Sequence, residues 1–312
     1  MNFIDRIESR IASTRSSIIA GFDPLIETFP DVILSGAAKK STTDEDFVFH
    51  ALADHYSVAL RALADLVCSI KPNIAFFEQY GVGGLRGFRF VCDAARDLGI
   101  PVVADIKRGD IGSTAQAYST AFFGSTTVSG RTIQGFPVDA ITINPYLGFD
   151  TVEVFLKECE ARGTGIFVLV RTSNPGSADI QCVADSSGVS VADRVATWIE
   201  KNSPRLAGTS SLSGLGAVVG ATHPDALKVL RASMPHSLLL IPGVGAQGGT
   251  PADVAPGFLA PHRGAIINLS RALMSSFSAK NIGVDKIEAE FRAKASHYNG
   301  EMESALSLHF KR

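Results

Sequence analysis

The sequence predicts a single α/β domain, a (β/α)8 TIM barrel that spans residues 1–312. Short apolar runs rich in Val and Ile recur eight times, which is typical of strands buried on both faces. Segments with helical periodicity lie between them, so the strands should run parallel with right-handed crossovers. Eight such units in about 260 residues fit this barrel. The pattern alone leaves a doubly wound open sheet as an alternative.

The elements follow in order from the N-terminus. Ile4, Ile7 and Ile11 recur on one face of a short amphipathic helix. Residues 30–46 follow the first strand and include SGAAKKSTTDED (35–46), which is polar and rich in turn formers, so we expect a surface insertion there. The apolar runs that predict the eight strands cover residues 16–23, 67–73, 100–107, 138–145, 165–172, 214–222, 237–243 and 264–270.

Two later helices are clear from their apolar spacing. Val191, Val195 and Ile199 recur at intervals of four residues, which predicts an amphipathic helix after the fifth strand. Ile287 and Phe291 lie one turn apart in a predicted C-terminal helix at about residues 284–310.

The composition excludes several classes of protein. The chain has 312 residues and a formal net charge of −2, with no basic block that would indicate a nucleic-acid or membrane-surface partner. No apolar run is long enough for a membrane span, and the N-terminus lacks the apolar region of a signal peptide. We therefore expect a cytoplasmic protein. The cysteines form no CxxC pair, which favours buried free thiols at Cys68, Cys92, Cys159 and Cys182.

Charged residues collect where the predicted strands end. In a barrel, the C-terminal ends of the strands and the loops after them build the active site. Asp23 ends the first strand, and Lys71 lies in the otherwise apolar second strand. A lone buried Lys is costly, so we expect a carboxylate from a neighbouring strand to pair with Lys71.

The third strand ends in the segment VVADIKRGDIG. Asp105 and Lys107 are two residues apart and should point to the same side of a strand, and Asp110 follows on the loop. Acids and bases this close keep each other ionised. Such an array can hold a cation or stabilise charge that develops in a reaction. An ion-pair network that closes the barrel mouth is the structural alternative, but perturbed groups cluster at functional sites.

A glycine-rich loop, PGVGAQGG, follows the seventh strand. Its glycines let backbone N–H groups approach an anion, and barrels often bind phosphate after strands seven and eight. Gln247 can donate to a phosphate oxygen, and Arg271 after the eighth strand can bind it bidentately. The same composition also suits a flexible turn or a mobile lid.

Together these motifs resemble the orotidine 5′-phosphate decarboxylase family. The RTSNPGS segment looks like the longer bacterial form. The D-x-K-x-x-D motif alone is shared with a wider superfamily that includes hexulose phosphate synthases, whereas D-x-K-R-x-D with PGVGAQGG is more specific. The matching segments occur in the expected order: GFD (21–23), IKPN (70–73), ADIKRGD (104–110), PGVGAQGG (242–249) and NLSRALM (268–274).

The resemblance implies a cofactor-free and metal-free conversion of orotidine 5′-monophosphate (OMP) to uridine 5′-monophosphate in pyrimidine biosynthesis. Lys107 would protonate C6 of the pyrimidine, Asp105 would lie beside the departing carboxylate, and Lys71 would pair with the acids and touch the ribose. Asp110 and Thr114 would reach into the neighbouring subunit's site, which makes a homodimer part of the mechanism. The substrate-binding positions implied are Asp23, Thr114, Asn144, Pro242, Gly245, Gln247, Ser270 and Arg271.

Three other functions remain open from the residues. One is a magnesium-dependent aldolase like the hexulose phosphate synthases, in which the acids bind the metal. Another is a Schiff-base aldolase that uses Lys71 or Lys107, although close carboxylates disfavour a neutral amine. The third is a phosphate-binding barrel without catalysis, which would have no use for Lys107.

Overall fold

The computed structural model describes residues 1–245, 248–275 and 277–311, and each predicted apolar run contains a strand. In chain order the strands are β1 (Ile18–Phe22), β2 (Ser69–Pro72), β3 (Val103–Arg108), β4 (Ser125–Val128), β5 (Arg131–Gln134), β6 (Ala140–Ile143), β7 (Gly165–Arg171), β8 (Ser213–Val219), β9 (Ser237–Pro242) and β10 (Ala265–Leu269).

Eight of these strands form one parallel sheet in the order β2–β1–β10–β9–β8–β7–β6–β3. The first strand in the chain pairs with the last, which an open doubly wound sheet does not do. Bridges from Ile70 to Val102 and from Asn73 to Asp105 join the two end strands, β2 and β3. The predicted (β/α)8 barrel is confirmed.

Helices surround the barrel, and short 3₁₀ turns cover Ile26–Thr28, Pro175–Ser177, Ser203–Leu206 and Ala255–Gly257. The helices are α1 (Phe3–Thr14), α2 (Asp31–Lys40), α3 (Asp44–Leu63), α4 (Ile74–Glu78), α5 (Gly81–Asp97), α6 (Gly112–Phe123), α7 (Phe149–Arg162), α8 (Ala178–Gln181), α9 (Val191–Asn202), α10 (Pro224–Ser233), α11 (Pro251–Val254), α12 (Arg271–Met274) and α13 (Val284–Phe310). The last of these has the bounds that the sequence predicts.

Helix α1 closes the N-terminal end of the barrel. Asn2 caps it by accepting a hydrogen bond from the Asp5 amide at 3.0 Å. Phe3 is fully buried and meets Phe167 of β7 edge to face, with ring centroids 5.9 Å apart. A Cβ at Gly165 would lie 2.3 Å from the Phe3 ring, so only glycine fits at this point of β7. The barrel is therefore sealed at this end and open at the other.

The predicted insertion at residues 30–46 contains helix α2. Ile33 and Ala37, one turn apart in α2, are buried and belong to the same hydrophobic core as α3. The polar residues around this pair conceal its helical spacing. Only residues 41–43 form the exposed connection to α3.

The sequence analysis did not predict strands β4 and β5, which form an exposed antiparallel hairpin between α6 and β6. Ser129 and Gly130 make its two-residue turn, with φ angles of 49° and 75°. Positive φ at both turn positions is the geometry of a tight hairpin. Because neither strand contributes to the core, the apolar pattern gives no sign of them.

The cysteines are all free, but Cys182 is exposed, which corrects the expectation that all four are buried. Burial raises the pKa of the Cys68 thiol to about 12, so this group is an inert core residue. Within the described part of the chain, none of the helices is long and apolar enough to cross a membrane.

Candidate active site

A cavity of about 440 Å³ opens at the C-terminal ends of the barrel strands. It brings together five of the predicted site residues, which come from β1, β2, β3 and β9: Asp23, Lys71, Asp105, Lys107 and Pro242. The other residues that line it are Asn73, Thr142, Leu169, Thr172, Ser173, Asn174, Gln181, Val218, Leu240 and Asn268.

Asp105 joins two lysines at this end of the barrel. Its Oδ2 accepts a hydrogen bond from Lys71 Nζ at 2.7 Å, and its Oδ1 accepts one from Lys107 Nζ at 2.5 Å. Lys71 reaches Asp105 because β2 and β3 are neighbours across the closure of the barrel. The expected carboxylate partner of Lys71 is therefore confirmed. We call these three residues the Lys–Asp–Lys triad.

The members of the triad differ in exposure. Lys71 and Asp105 are only 4% and 7% exposed, whereas the Lys107 side chain is 48% exposed to the cavity. Burial would raise the pKa of Asp105, but the ammonium groups of Lys71 and Lys107 outweigh it and hold that pKa well below its ordinary value. Burial lowers the pKa of Lys71, yet the carboxylates of Asp105 and Asp23 leave it above its ordinary value. The triad thus keeps an accessible ammonium beside a fixed carboxylate.

Asp23 lies where β1 meets β10. Ser270 Oγ donates a hydrogen bond to Asp23 Oδ2. Asp23 Oδ1 is buried and has no hydrogen-bond partner among the described residues, which leaves it free to accept from a bound molecule. A Cβ at Gly21 would lie 2.8 Å from both Ser270 Cβ and Asn268 Oδ1, so glycine permits this close approach.

The described part of the glycine-rich loop follows β9, and Arg271 follows β10. Gly243, Gly245 and Gly248 have positive φ angles of 109°, 76° and 87°, which glycine adopts without strain. The Gly245 amide donates to the Gly249 carbonyl at 2.9 Å. Arg271 is exposed at the start of α12. Gln247 falls outside the described residues, so its predicted role is not addressed by the structure.

Asn144, one of the implied substrate-binding residues, does not line the main cavity. Its Oδ1 accepts a hydrogen bond from the Tyr146 amide at 3.0 Å, and the residue lines a separate cavity of about 270 Å³. The loop after β7 lines the main cavity instead, through Thr172, Ser173 and Asn174. In the sequence, this loop was indicated only by the RTSNPGS segment, which looks like the longer bacterial form of the family.

A hydrogen-bond network orders that loop. Gln181 Oε1 accepts from the Thr172 amide at 2.9 Å, and Gln181 Nε2 donates to Thr172 Oγ1 at 2.8 Å. Thr172 Oγ1 in turn donates to Asn174 Oδ1 at 2.7 Å. Gln181 was not predicted from the sequence, because its hydrogen bonds to Thr172 depend on how residues 173–180 fold back.

Asp110 and Thr114 do not line the cavity of their own chain. Asp110 Oδ1 accepts from the Ile111 amide at 2.8 Å, and Thr114 is exposed in the first turn of α6. Ile111 between them is 61% exposed. The segment after β3 therefore carries an accessible hydroxyl and apolar side chain and a partly exposed carboxylate, none of which lines the cavity.

Comparisons with known proteins agree on one family. The model of the "Orotidine 5'-phosphate decarboxylase / HUMPS family" matches residues 50–280. The chain is 39% identical over 280 residues to a protein of Caldicellulosiruptor saccharolyticus named "Orotidine 5'-phosphate decarboxylase", covering 89% of this chain and 90% of that one. A protein of Rhodopirellula baltica with the same name is 38% identical over 293 residues, 94% of each chain.

A solved structure agrees in fold as well as in sequence. The structure described as "Leishmania donovani OMP decarboxylase" superimposes with a TM-score of 0.71 at 30% identity. The match covers 98% of this chain and 100% of that one. The similarity therefore extends over the barrel and the helices around it.

Proposed function

The chain belongs to the orotidine 5′-phosphate decarboxylase / HUMPS family, and we propose that it converts OMP to uridine 5′-monophosphate and CO₂, as a carboxy-lyase of pyrimidine biosynthesis. The observation that carries this proposal is the Lys–Asp–Lys triad at the barrel mouth. It places one accessible ammonium, on Lys107, directly beside one buried carboxylate, on Asp105.

This geometry suits a reaction that builds negative charge on carbon. The bond between C6 and the carboxylate of OMP breaks, and the electron pair remains on C6 as CO₂ leaves. The Lys107 ammonium stabilises that charge because it is already fixed and needs no reorganisation at the moment of reaction. Lys107 then transfers a proton to C6 and recovers one from solvent.

Other residues in and around the cavity bind and orient the substrate. Asp23 Oδ1 lacks a partner among the described residues and can accept a hydrogen bond from a ribose hydroxyl. The loop with Thr172, Ser173 and Asn174 supplies polar groups for the pyrimidine edge. Arg271 and the loop after β9 take the phosphate, and that remote binding energy can align the ring over Lys107.

The proposal is tested by ultraviolet absorbance of OMP with protein purified from a host that lacks its own OMP decarboxylase. We expect turnover to persist in EDTA, since Lys107 supplies the charge that the reaction needs. A protein that is inert towards OMP but cleaves a hexulose phosphate with magnesium would overturn the proposal. Far-ultraviolet circular dichroism on the same preparation shows whether the sample is folded, and a folded protein that is inert in both assays would also overturn the proposal.

We also propose that the enzyme is a homodimer with shared active sites. Asp110, Ile111 and Thr114 follow β3 closely in the chain, and none of them is among the residues that line their own cavity. A second copy packed on this surface would bury Ile111 and bring Asp110 to the partner's Lys107. We place the enzyme in the cytoplasm, because its substrate and product are charged nucleotides that do not cross an apolar bilayer unaided.

Shared sites make a specific prediction for mixtures of two inactive variants. Lys107→Ala and Asp110→Ala subunits, mixed under conditions that allow exchange, should recover about one quarter of native activity, because half of the dimers are mixed and each has one intact site. The measurement is kcat per subunit after exchange. If native mass spectrometry shows that mixed dimers have formed and the mixture is still inactive, the prediction of shared sites is wrong.

A further inference from the structure

The strand that carries Lys107 is irregular at that residue. Strand β3 pairs with β6 at Ala104↔Ile141 and next at Arg108↔Ile143, so four steps along β3 correspond to two along β6. Lys107 has a φ of 45°, in the left-handed region that residues other than glycine rarely adopt. The backbone of β3 therefore bulges at Lys107, the residue whose ammonium group must face the cavity.

One buried hydroxyl, that of Thr142 on β6, fills the gap in the pairing. Thr142 Oγ1 accepts hydrogen bonds from the backbone N–H groups of Ile106 and Lys107, each at 3.0 Å. It is also 2.8 Å from Asp105 Oδ1. Thr142 is 1% exposed, so water does not replace any of these partners.

The donors and acceptors of this cluster can be assigned from the contacts. A hydroxyl has two acceptor lone pairs and one hydrogen. Because both amides donate to Thr142 Oγ1, its lone pairs are used, and its hydrogen must go to Asp105 Oδ1. That oxygen also accepts from Lys107 Nζ at 2.5 Å. Thr142 therefore holds Lys107 at both ends, through its backbone amide and through the carboxylate that binds its ammonium.

We infer that Thr142 is a positioning residue for the proposed decarboxylation: its hydroxyl fixes the bulge of β3 and the Asp105 carboxylate so that Lys107 Nζ faces the reacting carbon. The inference rests on the proposed function, which assigns Lys107 as proton donor. Thr142 acts through Lys107 and Asp105 and is not itself required to touch the substrate.

The test compares Thr142→Val, which keeps the shape and removes the hydroxyl, with Thr142→Ser, which keeps the hydroxyl. We expect Thr142→Val to lower kcat by about 10²-fold, the effect of a misplaced catalytic group, with little change in KM. Thr142→Ser should recover most of this loss. A kcat for Thr142→Val within about threefold of native, or an equal loss in Thr142→Ser, would overturn the inference.

A matched control separates positioning from loss of a buried hydroxyl in general. Ser213 Oγ at the closed end of the barrel accepts from the Leu215 amide at 3.1 Å and donates to the Ser203 carbonyl at 2.6 Å. Ser213→Ala should lower the melting temperature, as Thr142→Val does, but leave kcat unchanged. If Ser213→Ala lowers kcat as much as Thr142→Val, the effect is one of stability and the inference fails.

The crystal structure of Thr142→Val supplies a readout that does not depend on activity. We expect Lys107 to leave the left-handed region, or its Nζ to move away from Asp105, once the two amides lose their acceptor. Unchanged Lys107 geometry would overturn the inference even if the native protein did not turn over OMP. Inactivity of the native protein would instead overturn the proposed function.

Discussion

Replacing Lys107 with Ala is expected to lower kcat for OMP by more than about 10⁴-fold, because it removes both the proton donor and the fixed charge beside the reacting carbon. The folded state should change little, since the Lys107 side chain is 48% exposed. The measurement is the single-turnover rate of OMP decarboxylation, with the melting temperature recorded on the same sample.

The control for this prediction is Lys39→Ala, which removes an exposed lysine of α2 that does not line the cavity. Its kcat should equal that of the native protein. If Lys107→Ala retained a rate within about tenfold of native, Lys107 would not be the proton donor, because a positioned acid contributes about 10²-fold or more.

Replacing Asp105 with Ala should both abolish activity and destabilise the fold, by about 3–5 kcal/mol in the free energy of unfolding. The reason is that Lys71, 4% exposed, would be left as a buried cation without the carboxylate that holds it at 2.7 Å. Urea unfolding at pH 7 measures this effect. Asp54→Ala is the matched control: it breaks the exposed pair with Lys40 and should cost less than about 1 kcal/mol.

The pH dependence of the Asp105 contribution has a definite sign. The pKa of Asp105 is lowered in the folded state, so its stabilisation is present above the ordinary value of about 4 and is lost as the pH falls further. The pKa of Lys71 is raised, so its stabilisation is present below about 10 and is lost as the pH rises further.

The difference in unfolding free energy between native protein and Asp105→Ala should therefore shrink as the pH falls below about 4, where the Asp105 carboxylate takes up a proton. It should also shrink towards alkaline pH, because burial lowers the pKa of Lys71 once Asp105 is gone, and a neutral Lys71 in the variant removes the cost of an unpaired buried cation. A difference that stayed the same from acid to alkaline pH would contradict the assignment of Asp105 and Lys71 as an ionised pair.

The sequence predicts the barrel because its strands are buried on both faces and so appear as continuous apolar runs. The hairpin of β4 and β5 is invisible to that criterion, since its side chains are exposed. Helix α2 is concealed for a related reason: its buried face consists of two residues, Ile33 and Ala37, within a polar stretch. Both cases show that the apolar pattern reports core contacts and not secondary structure itself.

Contacts in the site can be predicted from the sequence where a buried charged residue requires a partner of opposite charge. Lys71 in an apolar strand requires a carboxylate, and the structure supplies Asp105 from the neighbouring strand. Thr142 could not be found in this way, because a Thr in a strand is ordinary and its role arises only from the bulge of β3. The family resemblance implied Asn144 as a substrate-binding residue, but its side chain accepts a hydrogen bond from the Tyr146 amide and does not line the cavity.

The central claim is that the barrel mouth replaces the carboxylate at C6 of OMP with a proton. It is tested most directly by running the reaction in D₂O with EDTA and analysing the products by mass spectrometry and proton NMR. The account predicts one CO₂ and one uridine 5′-monophosphate for each OMP consumed, with deuterium at C6. Recovery of unchanged OMP, or a product that carries protium at C6, would contradict it.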